Sequence, residues 1–231
     1  MPVEGWVLVL GAYLLGAVPF GYLVTRVARG IDIRRYGSGN VGGSNVWATV
    51  GRGHALVTIA LDISKGAVPV LAARSLDLSL FAQALAGWSA VIGHNWSAYL
   101  KLTGGRGAGT ALGVLLALAP GLAAVFIGVS VALLLLLRNS PLTVGVSAVF
   151  LPLWSLLLSE PQAITLACLG LVALVMLKRL LGSGRAVSPM PLGSRRFLYR
   201  LLFDRDVPSR EGWVYRRPPQ QGTRGSHEGQ G

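Results

Sequence analysis

Residues 107–137 read GAGTALGVLLALAPGLAAVFIGVSVALLLLL, an uncharged run with Ala119-Pro120-Gly121 as its natural break. As one helix the run would be roughly 46 Å long, half as long again as a hydrocarbon core of about 30 Å. Proline has no N–H to donate and its ring opposes the preceding turn, so the helix is expected to break at Pro120. The choice between one long span and a hairpin decides the fold, because it flips the side on which everything downstream emerges.

Working outward, residues 5–25, 78–100, 139–159 and 161–177 also lack Asp, Glu, Lys and Arg, and residues 53–73 are interrupted only by Asp62 and Lys65. Each block is long enough to cross a bilayer as helix. Basic residues then set the orientation. Arg26, Arg29, Arg34, Arg35 and Arg52 follow the first block, Arg74 alone follows the second, and Lys101 and Arg106 follow the third. With a hairpin at Pro120, Arg138 and the stretch beginning at Lys178-Arg179 return to the basic side; without it they would not. The sequence therefore predicts an all-α polytopic membrane protein with seven transmembrane helices, N-terminus out and C-terminus in. Short hairpin helices imply tilt or local thinning of the bilayer.

Composition agrees, with 52% hydrophobic and 13% charged residues, far from a soluble enzyme. The net charge of +12 lies in turns and a tail rather than on one folded face, so it reads as topology and not as a nucleic-acid surface. The first block has no basic flank of the kind that precedes a cleaved signal, so it is expected to stay attached. Residues 1–181 form the membrane domain and 182–231 a basic cytoplasmic tail carrying nine arginines. Within the tail, residues 195–205 place Phe197, Leu198, Leu201 and Leu202 beside Arg195, Arg196 and Arg200, a short amphipathic helix that either lies in the lipid interface or docks on the protein itself. The end beyond Arg217 reads as disordered. The lone Cys168, three scattered histidines and the lack of an acidic cluster provide no disulfide, metal or cofactor framework.

The spans offer little chemistry, whereas two glycine-rich loops offer a good deal. In Tyr36-Gly37-Ser38-Gly39-Asn40-Val41-Gly42-Gly43-Ser44-Asn45, glycines free backbone amides to turn toward a ligand and Ser and Asn donate hydrogen bonds without charge. The second loop runs from Gly93-His94-Asn95-Trp96 to Lys101-Leu102-Thr103-Gly104-Gly105-Arg106-Gly107-Ala108-Gly109-Thr110, and sets a guanidinium at the start of the next helix. A helix N-terminus with an arginine fork attracts anions. Both loops lie on the cytoplasmic side of the expected topology. Asp62 and Lys65, three apart, share a helix face and form an expected buried pair.

The ordered set Gly37-Ser38-Gly39-Asn40, Ser44-Asn45, Asp62-Ile63-Ser64-Lys65-Gly66, Gly93-His94-Asn95 and Gly104-Gly105-Arg106-Gly107 resembles the bacterial membrane acyl-phosphate:glycerol-3-phosphate acyltransferases, the PlsY family, over about residues 5–181. The resemblance implies transfer of a fatty acyl group from acyl phosphate to the 1-hydroxyl of glycerol 3-phosphate. The product would be lysophosphatidic acid, made at the cytoplasmic leaflet of the inner (plasma) membrane. It gives Ser38 the role of active-site serine and puts Arg106 where the family has a phosphate-binding lysine. Substrate-binding roles pass to Gly37, Gly39, Asn40, Ser44, Asn45, Gly104, Gly105, Gly107, Lys178 and Arg179, and also to His94 and Asn95, whose expected work is positioning the loop. Membrane lipid is the remaining partner; no nucleic acid, cofactor or metal is implied, and no pattern specifies a homo-oligomer.

The chain departs from the family at Ala48, usually arginine, at Ala173 and Met176, aligned with a histidine and an asparagine, and after Leu181, where a glutamate is missing and Asp204 is the next acid. Arg52, one turn beyond Ala48, is a candidate to compensate. These departures motivate an alternative reading, an impaired paralogue that binds acyl phosphate or lipid without turnover. A transporter would instead carry its polar motifs at midplane in broken helices. An acyl phosphate is already activated, so alignment and charge stabilisation are sufficient, and no covalent acyl-enzyme is needed.

Overall fold

The computed structural model describes residues 1–182 and 194–204 of the 231. Regular structure among them is helical, apart from an isolated bridge between Ser97 and Thr103. The first apolar block is not one helix: α1 (Val3–Ala17) ends where Pro19 can offer no N–H, and α2 (Phe20–Arg29) begins beyond it. The carbonyl of Val18 at this break accepts the backbone N–H of Phe20 at 3.1 Å and the Lys65 ammonium at 2.8 Å. The break corrects the continuous 5–25 reading, and the signal for it, a proline inside an apolar run, was the same one used at Pro120.

A 3-10 turn (Ile33–Arg35) and α3 (Gly43–Thr49) carry the chain to α4 (Arg52–Ser75), the longest helix at 24 residues. The block 78–100 shortens to α5 (Leu80–Asn95), started by the Ser79 hydroxyl accepting the Ala82 N–H at 3.3 Å, and is followed by a loop with a 3-10 turn. The 107–137 run divides into α6 (Ala108–Leu118) and α7 (Pro120–Leu137). Next come α8 (Ser140–Val149) and α9 (Leu151–Leu157), bent 43° to each other, a bend absent from the sequence reading. The last elements are α10 (Gln162–Leu181) and α11 (Ser194–Phe203).

Phe126 of α7 lines one apolar crevice with Ala108, Leu112 and Leu115 of α6. In a continuous helix Phe126 would lie roughly 27 Å along the axis from Ala108, so the chain doubles back at Pro120. The same logic orders the other helices. Gly16 packs on Ala90 and the Ser89 hydroxyl donates to the Val9 carbonyl, so α1 and α5 run parallel. Gly109 meets Asp62, Gly113 meets Ala67, and the Arg74 guanidinium donates to the Ala117 carbonyl at 2.5 Å, so α4 and α6 run parallel in the opposite sense. Small residues at these crossings let backbones touch, which is how apolar helices associate when no water drives them together.

Among the described residues four helical stretches are long and apolar enough to cross a membrane: Val3–Arg29 taken through its break, Arg52–Ser75, Pro120–Leu137 and Gln162–Leu181. The bent α8/α9 pair makes a fifth, and α5 and α6 are shorter. The largest apolar cluster joins α4, α5, α6, α7, α9 and α10 through residues such as Val70, Val91, Val114, Leu122, Leu151 and Leu171. α11 lies against the end of α10: the Arg179 guanidinium donates to the Leu201 carbonyl and Arg200 to the Leu180 carbonyl. The expected disordered end beyond Arg217 falls outside the described residues.

Candidate active site

The first loop is gathered by one amide. Asn45 Nδ2 donates to the carbonyls of Asn40 at 2.8 Å, Tyr36 at 3.0 Å and Ile33 at 3.4 Å, and Asn45 Oδ1 accepts the Ser38 N–H at 3.0 Å. The glycines beside Ser38 have φ of +54° (Gly37) and +71° (Gly39), backbone that L side chains rarely adopt, and a Cβ on Gly37 would overlap Asn45 Oδ1. Ser38 Oγ accepts the Asn40 N–H at 3.3 Å, while its own hydrogen meets no acceptor among the described residues. Asn40 is buried with an unpartnered Oδ1; Ser44 is exposed on the first turn of α3. At the loop's entry, Asp32 accepts both the N–H and the side chain of Arg34, and the guanidinium holds this carboxyl below the ordinary carboxylate range.

The second loop is fastened by buried charge. Asp62 Oδ1 is 3.0 Å from Lys65 Nζ and 3.5 Å from His94 Nδ1, with all three side chains nearly inaccessible. Lys65 passes the connection to Val18 at the α1/α2 break, and the Ser97 hydroxyl donates to the Ala17 carbonyl at 2.6 Å. The His94 carbonyl accepts the Gly105 N–H at 3.0 Å, and the fully buried Asn95 donates to the Leu174 carbonyl at 3.3 Å. Gly104 and Gly105 lie so close to His94 and Asn95 that neither has room for a Cβ, and Gly107 starts α6 at φ +77°. His94 and Asn95 therefore touch the loop that carries Arg106.

The loops converge on a narrow crevice lined by Val41 of the first and by His94, Ser97 and Gly104 of the second, with Asp62, Lys65 and Phe20 on its wall. Beside it, Arg106 forms an ion pair with Asp204, Lys178 lies 5.0 Å over the Trp96 ring, and both Lys178 and Arg179 are near enough to Arg106 to feel its charge. Arg106 Nε and Arg179 Nε are buried with no acceptor among the described residues. Ser38 and Arg106 belong to neighbouring groups and do not touch. Tyr13, whose hydroxyl donates to the Trp96 carbonyl, and Ser97 were not singled out in the sequence, and Asp204 was noted there only as the next acid after Leu181, because each acts on a residue at least 80 positions away.

Of the replaced family positions, Ala48 and Ala173 are exposed and Met176 is half-buried. Arg52 lies 5.6 Å over the Trp47 ring. No group of three or more His, Cys, Asp or Glu residues capable of holding a metal occurs among the described residues.

Comparison with known proteins covers the part of the chain that carries both loops. Glycerol-3-phosphate acyltransferase 5 of Dehalococcoides mccartyi is 37% identical over 217 residues, which is 91% of this chain and 92% of the relative. The glycerol-3-phosphate acyltransferase of Geobacter metallireducens is 49% identical over 113 residues, 49% of this chain and 58% of that one. Crystal structures of PlsY (YgiH), an integral membrane glycerol 3-phosphate acyltransferase, superpose with TM-scores of 0.71 in the glycerol 3-phosphate form and 0.70 in the lysophosphatidic acid form. Each is 28% identical and covers 85% of this chain and 99% of the other. The family model described as glycerol-3-phosphate acyltransferase matches residues 6–182, which hold both loops, the buried charges and the helices from within α1 to the end of α10, and the chain belongs to that family of integral membrane proteins.

Proposed function

We propose that the protein transfers a fatty acyl group from acyl phosphate to the 1-hydroxyl of glycerol 3-phosphate and releases lysophosphatidic acid and inorganic phosphate. The observation that carries this reading is the convergence of the Ser38 loop and the Arg106 loop on one crevice, within the segment matched by the family. Two buried polar atoms of these loops lack partners and are complementary to such substrates: Asn40 Oδ1, beside the crevice-lining Val41, fits a glycerol hydroxyl, and Arg106 Nε–H fits a phosphate oxygen. The apolar crevice between α6, α7, α8 and α10 begins at Ala108, two residues from Arg106, and suits a donor with a hydrocarbon chain.

In this mechanism the glycerol oxygen attacks the acyl carbonyl carbon, the carbonyl carbon–phosphate oxygen bond breaks, and phosphate leaves against Arg106 and the free amides at the start of α6. The hydroxyl proton passes to a phosphate oxygen. Ser38, held by Asn45 through its backbone, orients the acceptor with its unspent hydrogen. Gly37, Gly39, Ser44, Gly104, Gly105 and Gly107 shape the loops, His94 and Asn95 position the second, and Lys178 and Arg179 add positive charge. The pair Asp62 and Lys65 ties α4 to both the break and the loop.

The arrangement further supports seven membrane passes with the N-terminus out and the C-terminus in, and an active site facing the cytoplasm at the inner membrane. Antiparallel succession of the helices and the concentration of arginine in the 26–52 connection support this orientation. Purified protein in lipid, given palmitoyl phosphate and glycerol 3-phosphate, is expected to release inorganic phosphate and form lysophosphatidic acid, with acyl-CoA failing as donor. Binding of acyl phosphate without product would refute turnover and leave the impaired paralogue.

A further inference from the structure

The helix α11 lies beyond the segment matched by the family model, which ends at residue 182, yet it reaches the second loop. Arg179 donates to the Leu201 carbonyl at 3.1 Å, Arg200 donates to the Leu180 carbonyl at 2.7 Å, and Asp204, the residue after the helix end, pairs its carboxylate with Arg106 across 98 positions of sequence. Both partners are largely shielded, at 11% and 15% side-chain exposure, so the pair is not a loose surface contact.

The seat holding this carboxylate has more cationic donors than the carboxylate takes up. Three cations, Arg106, Lys178 and Arg179, lie within electrostatic reach of one another or of Asp204. Two guanidinium donors, Arg106 Nε and Arg179 Nε, are buried without an acceptor among the described residues. A dianionic phosphate with three oxygens would satisfy more of these donors than a two-oxygen monoanion does.

We propose that Asp204 is an internal placeholder for the donor's phosphate, and that α11 is a latch that an acyl phosphate must displace to bind. This rests on the reading of Arg106 as a phosphate-binding residue. The latch competes with the phosphate-bearing ligand because both need the same guanidinium. It acts at high local concentration because the carboxylate is part of the chain.

The test is the dissociation constant of a non-transferable palmitoyl phosphonate for the full-length protein in lipid nanodiscs, which reads binding whether or not turnover occurs. Asp204→Asn is expected to tighten binding about three- to tenfold, the scale of a partly buried ion pair. Arg200→Ala, which loosens α11 without touching Arg106, is expected to tighten it less, and supplies a second reading should the first variant fold poorly. Arg106→Ala is expected to weaken binding about tenfold or more, and adding Asp204→Asn to it to change nothing further. Unchanged or weaker binding in Asp204→Asn, with Arg106→Ala still weakened, would overturn the latch alone and leave Arg106 as the phosphate residue. Unchanged binding in Arg106→Ala would overturn the phosphate reading and the latch with it. Equal tightening by Asp204→Asn in both backgrounds would reduce the effect to net charge and also overturn the latch.

Discussion

The two loops reach the same crevice by different physics. The first is local and neutral: Asn45 collects the carbonyls of Ile33, Tyr36 and Asn40 and the Ser38 amide, all within twelve residues. The second is assembled from afar and charged: His94 leans on Asp62, Asn95 on Leu174, and Arg106 on Asp204. A loop that orients a neutral hydroxyl can close on its own backbone. A loop that gathers cations at a membrane surface needs counter-charge, and only distant elements provide it.

The largest expected effect breaks the second loop. Asp62→Ala strands Lys65 in a buried site, and loss of one partner of a buried pair costs about 3–5 kcal/mol. A denaturant titration in mixed micelles should show that loss, with Lys65→Met added to it recovering part of the stability. Full stability in the single variant would mean the charges are not paired inside the membrane.

The corresponding break in the first loop is Asn45→Ala, which removes the partner of the Asn40 carbonyl and of the Ser38 amide and one of the two donors to each of the Ile33 and Tyr36 carbonyls, which keep the backbone N–H of Tyr36 and Gly39. Several lost bonds at about 1 kcal/mol each predict a drop of about 2–4 kcal/mol and a collapse of acyl transfer. Transfer at the unmodified rate would show that the loop holds its shape without the amide.

Ser38→Ala sharpens the comparison, because it removes a hydroxyl and spares the backbone amide that Asn45 holds. Turnover is expected to fall by about ten- to a thousandfold, while stability falls only by the one long hydrogen bond from the Asn40 N–H, about 1 kcal/mol or less. Trapping an acylated Ser38 on the pathway would refute direct transfer. Arg74→Ala is the useful contrast to Arg106→Ala: its guanidinium closes the end of α6 at Ala117, so it should lower stability and leave the KM for acyl phosphate alone.

The smallest effect concerns Asp32, at the entry of the first loop. Its folded carboxyl is more acidic than the unfolded one because Arg34 bonds to it, so the stabilisation is complete above the ordinary carboxylate range and disappears as pH falls through the depressed folded value. For a pair this local and only partly shielded, Asp32→Asn should cost about 1 kcal/mol or less, and should abolish only that acidic slope in a pH series of melting temperatures. A loss of the same size at neutral and strongly acidic pH would deny the ion pair this role.

Much of this was written in the sequence, wherever a residue acts on its neighbours. Charge-free runs marked the helices, proline the fold-back at Pro120, and glycine the positive-φ turns around Ser38 and before α6, because backbone sterics and desolvation act over a few residues. The same proline rule applied at Pro19, where length alone had suggested one continuous helix. The bend between α8 and α9 carries the same signal in Pro152, in the first turn of α9. Tertiary packing decided the rest: that Lys65 would close the carbonyl left by the Pro19 break, that Arg74 would finish α6, and that a tail acid would come to rest on Arg106. Each of these contacts joins groups whose spacing in sequence carries no periodic signal. Their partners are chosen by which helix ends reach the same depth, and by the requirement that every buried charge or carbonyl there find one.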